Sequence, residues 1–115
     1  MTLYDPVLAG YFSADAGAKA LAVASPLLLK QVNDELTSAD RKAGVKTADV
    51  AGAFRSYDST QTLTWEGQQI PVNVATVCSW TWACQTPPSG PNIHANKNGY
   101  AVIAKAFDKV IGRLR

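Results

Sequence analysis

The clearest pattern along the chain is a helical one in residues 26–42. Apolar side chains recur there three or four positions apart, with polar ones between them: Leu28, Val32, Leu36 and Ala39. Ser25 is a residue type that caps helices, and proline is tolerated in the first turn, so Ser25 and Pro26 predict the start of this helix. Gly44 predicts its end, because glycine readily takes the left-handed conformation that follows many helices.

Residues around this helix predict strands and turns. Residues 1–4 have the pattern of the end of a strand, and Asp5-Pro6 that of a turn leaving it. Residues 45–50 are short and rich in valine and threonine, which favours a strand, and residues 51–54 then form a turn or short helix. A helix, a glycine and a strand in this order are typical of an α/β sheet.

The second half of the chain predicts a hairpin, a long loop and a final helix. Residues 63–74 are expected to form a hairpin that turns at residues 65–68. Trp80, Trp82 and the prolines and glycine of residues 87–91 indicate a long irregular loop. From Asn98 a helical apolar stripe returns: Ile103, Phe107, Val110, Ile111 and Leu114.

Composition limits the classes of function. The chain has 115 residues, enough for one domain, and 47% of them are hydrophobic, as in a globular protein. A formal charge of +2 with scattered basic residues does not favour binding to nucleic acid or to an anionic membrane. No apolar run is as long as a membrane span, and the first residues lack the pattern of a signal peptide.

His94 is the first candidate for acid-base chemistry. It is the one histidine of the chain, and it stands just before the predicted final helix. A lone histidine is more often a structural or surface residue. One histidine and two cysteines, with no ligand-like spacing around the histidine, do not predict a metal site, and we expect no cofactor.

The residues around His94 resemble the last motif block of the SGNH (GDSL-type) ester hydrolases. His94-Ala95-Asn96, Gly99-Tyr100 and Ile103-Ala104 stand where that family has His-Pro-Asn, Gly-Tyr and Ile-Ala. Further back, three segments resemble the C-terminal half of secreted actinobacterial-type members: Tyr4-Asp5-Pro6 with Leu8-Ala9, Ala48-Asp49-Val50 with Phe54, and the run from Cys78 to Cys84. The resemblance implies the C-terminal portion of a flavodoxin-like α/β three-layer sandwich, forming a single partial domain over residues 1–115.

The resemblance also implies roles for individual residues. His94 would be the general base, and Asn92 or Pro91 would stand where the family has the acid that orients it. Neither residue is a carboxylate, and we take Asn92 as the orienting residue. Cys78 and Cys84 would form a disulfide, which is consistent with a secreted parent protein; two free thiols are the alternative. Trp80 and Trp82 would line a substrate cleft, although packing over the core fits them equally well. Asp49 could point toward the site, but a loop cap is the commoner role for such a carboxylate.

The family's nucleophile is not expected in this chain. None of its seven serines stands in a Gly-Asp-Ser block or a Gly-x-Ser-x-Gly elbow: Ser13, Ser25, Ser38, Ser56, Ser59, Ser79 and Ser89. The chain alone is therefore expected to be inactive, although its family would hydrolyse small-molecule or lipid esters.

Two alternatives to an ester hydrolase stay open. One is a fragment without catalysis that serves as a binding or interaction module, and the weaker one is a carbohydrate-binding domain, suggested by the tryptophans alone. Missing strands would expose an apolar sheet edge, so we also expect docking on an N-terminal half or self-association.

Overall fold

The computed structural model describes residues 1–112, which form five helices and one hairpin. The elements in chain order are a 3-10 helix (Pro6–Phe12), α1 (Ala16–Lys42), α2 (Val50–Ala53), β1 (Thr62–Trp65), β2 (Gln68–Pro71), α3 (Val72–Trp80) and α4 (Lys97–Ile111). Within the described residues the one sheet is the antiparallel pair β1–β2. This mixed helix and strand content does not show a flavodoxin-like sandwich, which stays a prediction.

Helix α1 begins ten residues before the predicted start, so the prediction of a start at Pro26 was wrong. Asp15 caps the helix, and its Oδ2 accepts a hydrogen bond of 2.7 Å from the N–H of Ala18. Pro26 lies inside the helix, where it cannot donate to the carbonyl of Ala22. The hydroxyl of Ser25 donates to that carbonyl instead, at 3.3 Å, and this replaces the missing bond.

The predicted strand at residues 45–50 was also wrong. Its last residue, Val50, opens helix α2, and Asp49 is the N-cap of that helix. The preceding residues lie beside the start of the chain, where the N–H of Thr2 donates to the carbonyl of Ala48 at 2.9 Å. One such bond does not make a ladder, so valine and threonine content alone did not give a strand here.

The side chain of Asn33 in α1 pairs with the backbone of Leu3 as a neighbouring strand would. Its Oδ1 accepts from the N–H of Leu3 at 2.7 Å, and its Nδ2 donates to the carbonyl of Leu3 at 2.9 Å. Asn33 is buried. The polar groups of Leu3 are therefore bonded to a side chain, and residues 1–4 do not form the strand end that the sequence predicted.

The predicted hairpin turn and final helix are confirmed, but the predicted second arm was too long, because residues 72–74 begin helix α3 and Trp80, which we placed in the long loop, ends it. Residues 72–78 are all buried, so this stretch lacks the periodic pattern of an amphipathic helix. Strand β1 pairs with β2 from Thr62 opposite Pro71 to Trp65 opposite Gln68. Glu66 and Gly67 form the two-residue turn, both with positive φ, as the tight hairpin turns require. Helix α4 begins at Lys97; Leu114, which we placed in its apolar stripe, lies outside the described residues.

The core consists of two apolar clusters on either side of α3. One joins the 3-10 helix, β2 and α3 through buried Leu8, Ile70, Val74 and Val77. The other joins α2 to α4 through buried Val50, Phe54 and Ala106, with Ile103, Phe107 and Val110 packed against them. In residues 1–112, every helix is too short or too polar to cross a membrane.

Candidate functional site

His94 lies in a loop, residues 81–96, that connects α3 to α4. The chain leaving α3 runs antiparallel to the chain entering α4, with Thr81 opposite Ala95. The N–H of Trp82 donates to the carbonyl of His94 at 3.0 Å, and the N–H of Asn96 donates to the carbonyl of Trp80 at 2.9 Å. We refer to this paired segment as the histidine loop. Its backbone is fixed on both sides of His94.

The side chain of His94 is exposed to solvent. Within residues 1–112 both hydrogen bonds of His94 use its backbone: the carbonyl accepts from Trp82, and the N–H donates to Oδ1 of Asn92 at 3.0 Å. A backbone held in this way directs the Cα–Cβ bond, while the imidazole stays accessible. The arrangement presents a base to a molecule arriving from solvent.

Asn92 contacts the main chain of its own loop. Besides accepting from His94, its side chain donates from Nδ2 to the carbonyl of Ser89 at 3.1 Å, and its backbone N–H donates to the carbonyl of Trp82 at 3.2 Å. An asparagine that bonds the N–H two residues further on is a common turn former. In this structure Asn92 shapes the turn that carries His94. Its predicted role in orienting the imidazole stays a prediction.

Asn96 is a residue of the site to which sequence reasoning gave no role. Its Oδ1 accepts from the N–H groups of Asn98 and Gly99 at 3.0 and 3.1 Å, which caps α4. Its Nδ2 donates to the carbonyl of Ser79 at 2.9 Å, at the end of α3. One side chain thus fixes both the start of α4 and its distance from α3. An asparagine just before a helical stripe was the signal that could have found it.

Gly99 explains how closely the two helices approach. A Cβ atom at this position would overlap with the carbonyl oxygen of Trp80. Packing therefore requires glycine at the first position of the Gly99-Tyr100 pair, because the first turn of α4 lies against the last residue of α3.

Tyr4 joins the start of the chain to the histidine loop. Its hydroxyl donates to the carbonyl of Ile93 at 2.6 Å, and its ring stacks on Phe54 with centroids 4.5 Å apart. Burial raises the pKa of Tyr4, the negative charge of an ionised Tyr100 raises it further, and the N–H of Ala95 opposes these effects. Tyr4 is therefore suited to donate its hydrogen bond throughout the neutral range.

The two tryptophans have different surroundings. Trp80 is half-buried and packs edge-on against Phe54, with centroids 5.3 Å apart, which favours the packing alternative for it. Trp82 is 38% exposed on the same loop as His94. Of the pair, Trp82 is the more exposed.

The predicted disulfide is confirmed. Cys78 near the end of α3 is bonded to Cys84 in the histidine loop, with the Cα atoms 5.1 Å apart. This bond closes the short segment that contains Trp82. The loop is thus attached to α3 covalently as well as through hydrogen bonds.

Asp49 is a helix cap, the commoner of the two roles that we considered for it. Its Oδ1 accepts from the hydroxyl of Thr2 at 3.1 Å and from the N–H of Gly52 at 3.0 Å, so it caps α2. Among residues 1–112, no three side chains of the metal-binding types histidine, cysteine, aspartate and glutamate form a group that could hold a metal ion.

Comparison with models of protein families, with curated proteins and with solved structures found no match to this chain.

Proposed function

We propose that this chain is the histidine-bearing part of a carboxylic ester hydrolase of the SGNH type, with His94 as its general base. The observation that carries the proposal is an exposed imidazole on a loop whose backbone is fixed by the residues around it. Several of the motif residues take part: Asn96 caps α4, Gly99 permits its approach to α3, and Tyr4 bonds the loop.

The chemistry follows the serine hydrolase scheme. A serine oxygen attacks the ester carbonyl carbon while His94 takes the serine proton, and His94 then gives this proton to the leaving alcohol. A water molecule then attacks the carbonyl carbon of the acyl-enzyme while His94 takes a proton from the water. His94 gives this proton to the serine oxygen as the carboxylic acid is released. The serine and the donors for the oxyanion would come from a polypeptide segment that carries the Gly-Asp-Ser block, and we assign no nucleophile within residues 1–115.

Asn92 and Trp82 complete the proposed site. Asn92 would hold the imidazole through the turn it forms with His94, but as a neutral amide it cannot stabilise the imidazolium by charge. Trp82 would contact the substrate ester, a small molecule or a lipid. The bond between Cys78 and Cys84 is consistent with a secreted protein, because disulfides persist in oxidising compartments.

The test is ester hydrolysis by this chain combined with a segment that bears Gly-Asp-Ser, encoded upstream or supplied in trans from an SGNH hydrolase. With p-nitrophenyl butyrate we expect turnover, and we expect His94→Gln to lower kcat/KM by about 10²- to 10⁴-fold. Gln85→Ala, a change at an exposed position of the same loop, is the matched control and should keep the wild-type rate.

Two results would count against the proposal. A combined protein that binds its second segment but hydrolyses no ester would favour the interaction module. Hydrolysis that is equally fast with His94→Gln would place the base elsewhere.

A further inference from the structure

Pro26 leaves the carbonyl group of Ala22 in helix α1 without the backbone N–H that would ordinarily bond it. The hydroxyl of Ser25 donates to this carbonyl at 3.3 Å, and both Ala22 and Ser25 are buried. Because both residues are buried, the carbonyl depends on this hydroxyl for its hydrogen bond rather than on solvent.

A buried carboxylate from another element lies beside the same hydroxyl. Asp5 caps the 3-10 helix, which packs against α1, and only 3% of Asp5 is exposed. Its Oδ1 accepts from the N–H of Val7 at 3.1 Å, while Oδ2 is buried and has no hydrogen-bond partner within residues 1–112. Burial raises the pKa of Asp5, and the hydroxyl of Ser25, which is close enough to bond the carboxylate, lowers it in part.

One hydroxyl therefore lies between two buried acceptors. A serine hydroxyl has a single proton to donate, so it can bond either the carbonyl of Ala22 or Oδ2 of Asp5. Protonation of Asp5 removes this conflict, because Oδ2 can then donate its own proton to Oγ of Ser25 while Ser25 still donates to Ala22. The observed arrangement, with Ser25 bonded to Ala22 and Oδ2 without a donor, is the one that a protonated Asp5 completes.

We propose that Asp5, Ser25 and the carbonyl of Ala22 form a pH-sensitive switch in α1. In the protonated state, two hydrogen bonds run in series from Asp5 through Ser25 to Ala22. When Asp5 loses its proton to solvent, the carboxylate takes the hydroxyl of Ser25, because a hydrogen bond to a charged acceptor is stronger than one to a neutral carbonyl. The carbonyl of Ala22 is then unpaired, and α1 is weakened at the turn that precedes Pro26.

The charged residues of the surrounding elements lie away from the switch. The sequences of the 3-10 helix and of α3 contain no acidic or basic side chain. In α1, the charged residues nearest to the switch in sequence are Lys19, which lines a surface cavity with Phe12 at the end of the 3-10 helix, and Lys30, which pairs with Asp34 in solvent. Tyr4 has a raised pKa and stays neutral where a carboxylate titrates. Burial and the serine hydroxyl therefore dominate the titration of the carboxylate.

Carbon-13 NMR of the 115-residue chain, with the pH raised from about 3 to about 8, tests the proposal. The side-chain carboxyl signal of Asp5 reports its titration, and the backbone carbonyl signal of Ala22 reports whether that carbonyl accepts a hydrogen bond. Both signals should change with the same midpoint, above the ordinary value of 3.8, and the Ala22 signal should move to lower frequency as its bond is lost. The carbonyl of Val23, one position along the helix, is the internal control and should not follow this titration.

Three variants separate the switch from other causes of a pH-dependent signal. Ser25→Ala removes the shared hydroxyl, so the pKa of Asp5 should rise further and the Ala22 signal should no longer titrate. Pro26→Ala gives Ala22 a backbone donor and leaves the hydroxyl to Asp5, so the pKa of Asp5 should fall below that of wild type, again with no titration at Ala22. Ser38→Ala, at the other serine of α1, is the matched control and should leave both signals as in wild type.

Three results would overturn the proposal. They are a constant Ala22 signal in the wild-type chain, a midpoint at Ala22 that differs from that of Asp5, and a shift of the Asp5 pKa in the same direction by Ser25→Ala and Pro26→Ala. The wild-type titration needs no variant, so the test holds even where a variant fails to fold.

Discussion

At the scale of single residues, Asn96 has the greatest influence on the histidine loop. Asn96→Ala removes the cap of α4 and the bond to the carbonyl of Ser79. Losing a helix cap costs about 1 kcal/mol, and the second bond adds about as much, so the free energy of unfolding should fall by about 2 kcal/mol in urea titrations.

The variant Asn96→Ser is the control for this change. Serine keeps a capping oxygen but lacks the Nδ2 donor to the carbonyl of Ser79, so its effect should be smaller than that of alanine. If alanine and serine cost the same, the cap is not the source of the stability.

Asp5 is a buried carboxylate whose ionisation acts against folding. Its Oδ1 accepts from the N–H of Val7 at 3.1 Å, while Oδ2 has no hydrogen-bond partner within residues 1–112. Burial raises the pKa of Asp5 above its ordinary value of 3.8. The nearby hydroxyl of Ser25 lowers the pKa in part, although in this structure it donates to the carbonyl of Ala22.

This shift predicts how stability changes with pH. The folded chain holds the Asp5 proton more tightly than the unfolded chain, so the free energy of unfolding falls as the pH rises from about 3.8 through the raised pKa. Asp5→Asn keeps a capping oxygen and removes this loss, so its stability relative to wild type should increase with pH across urea titrations from acid to neutral conditions. A difference that is constant with pH would exclude the carboxylate as its cause.

At the scale of elements, Pro26 gives α1 an avoidable cost. Proline inside a helix is about 3 kcal/mol less favourable than alanine, although it also restricts the unfolded chain by up to about 1 kcal/mol. Pro26→Ala supplies the backbone N–H donor that the carbonyl of Ala22 lacks, and it should raise the free energy of unfolding by about 2 kcal/mol. Ser25→Ala in the wild-type background should lower it by about 1 kcal/mol, since the carbonyl of Ala22 then has no donor. A stability loss with Pro26→Ala would contradict this account of the proline.

The elements differ in how well the sequence predicted them. The hairpin turn was predictable because a glycine at position 67 favours the positive φ that a tight turn needs. Gly44 likewise marked the end of α1, because it has the positive φ that often follows a helix. The start of α1 was missed because the free-energy cost of Pro26 is offset by the hydrogen bond of Ser25 and by packing against the 3-10 helix. Neither compensation can be predicted from the residues next to Pro26 alone. Residues 45–50 failed as a strand because a strand needs a neighbour, and the backbone of Leu3 bonds Asn33 instead.

At the scale of the whole molecule, the histidine loop is where distant parts of the chain meet. The motif around the one histidine made His94 a candidate, and its role stays a prediction, whereas Cys78 could be paired with Cys84 by resemblance. The hydrogen bond from Tyr4 to Ile93 joins residues 89 positions apart, and the sequence around either residue does not predict it. Such contacts depend on the tertiary fold, which short motifs do not contain.

The central claim is that His94 acts as a base, and chemical rescue tests it most directly. In the chain combined with a Gly-Asp-Ser segment, His94→Ala should lower kcat/KM for p-nitrophenyl butyrate by about 10²- to 10⁴-fold and leave an exposed gap in the histidine loop. Added imidazole should then restore turnover in proportion to its concentration, beyond its own reaction with the ester, while Gln85→Ala shows no such dependence. If His94→Ala hydrolyses the ester as fast as wild type, or if imidazole restores nothing after its loss, His94 is not the base.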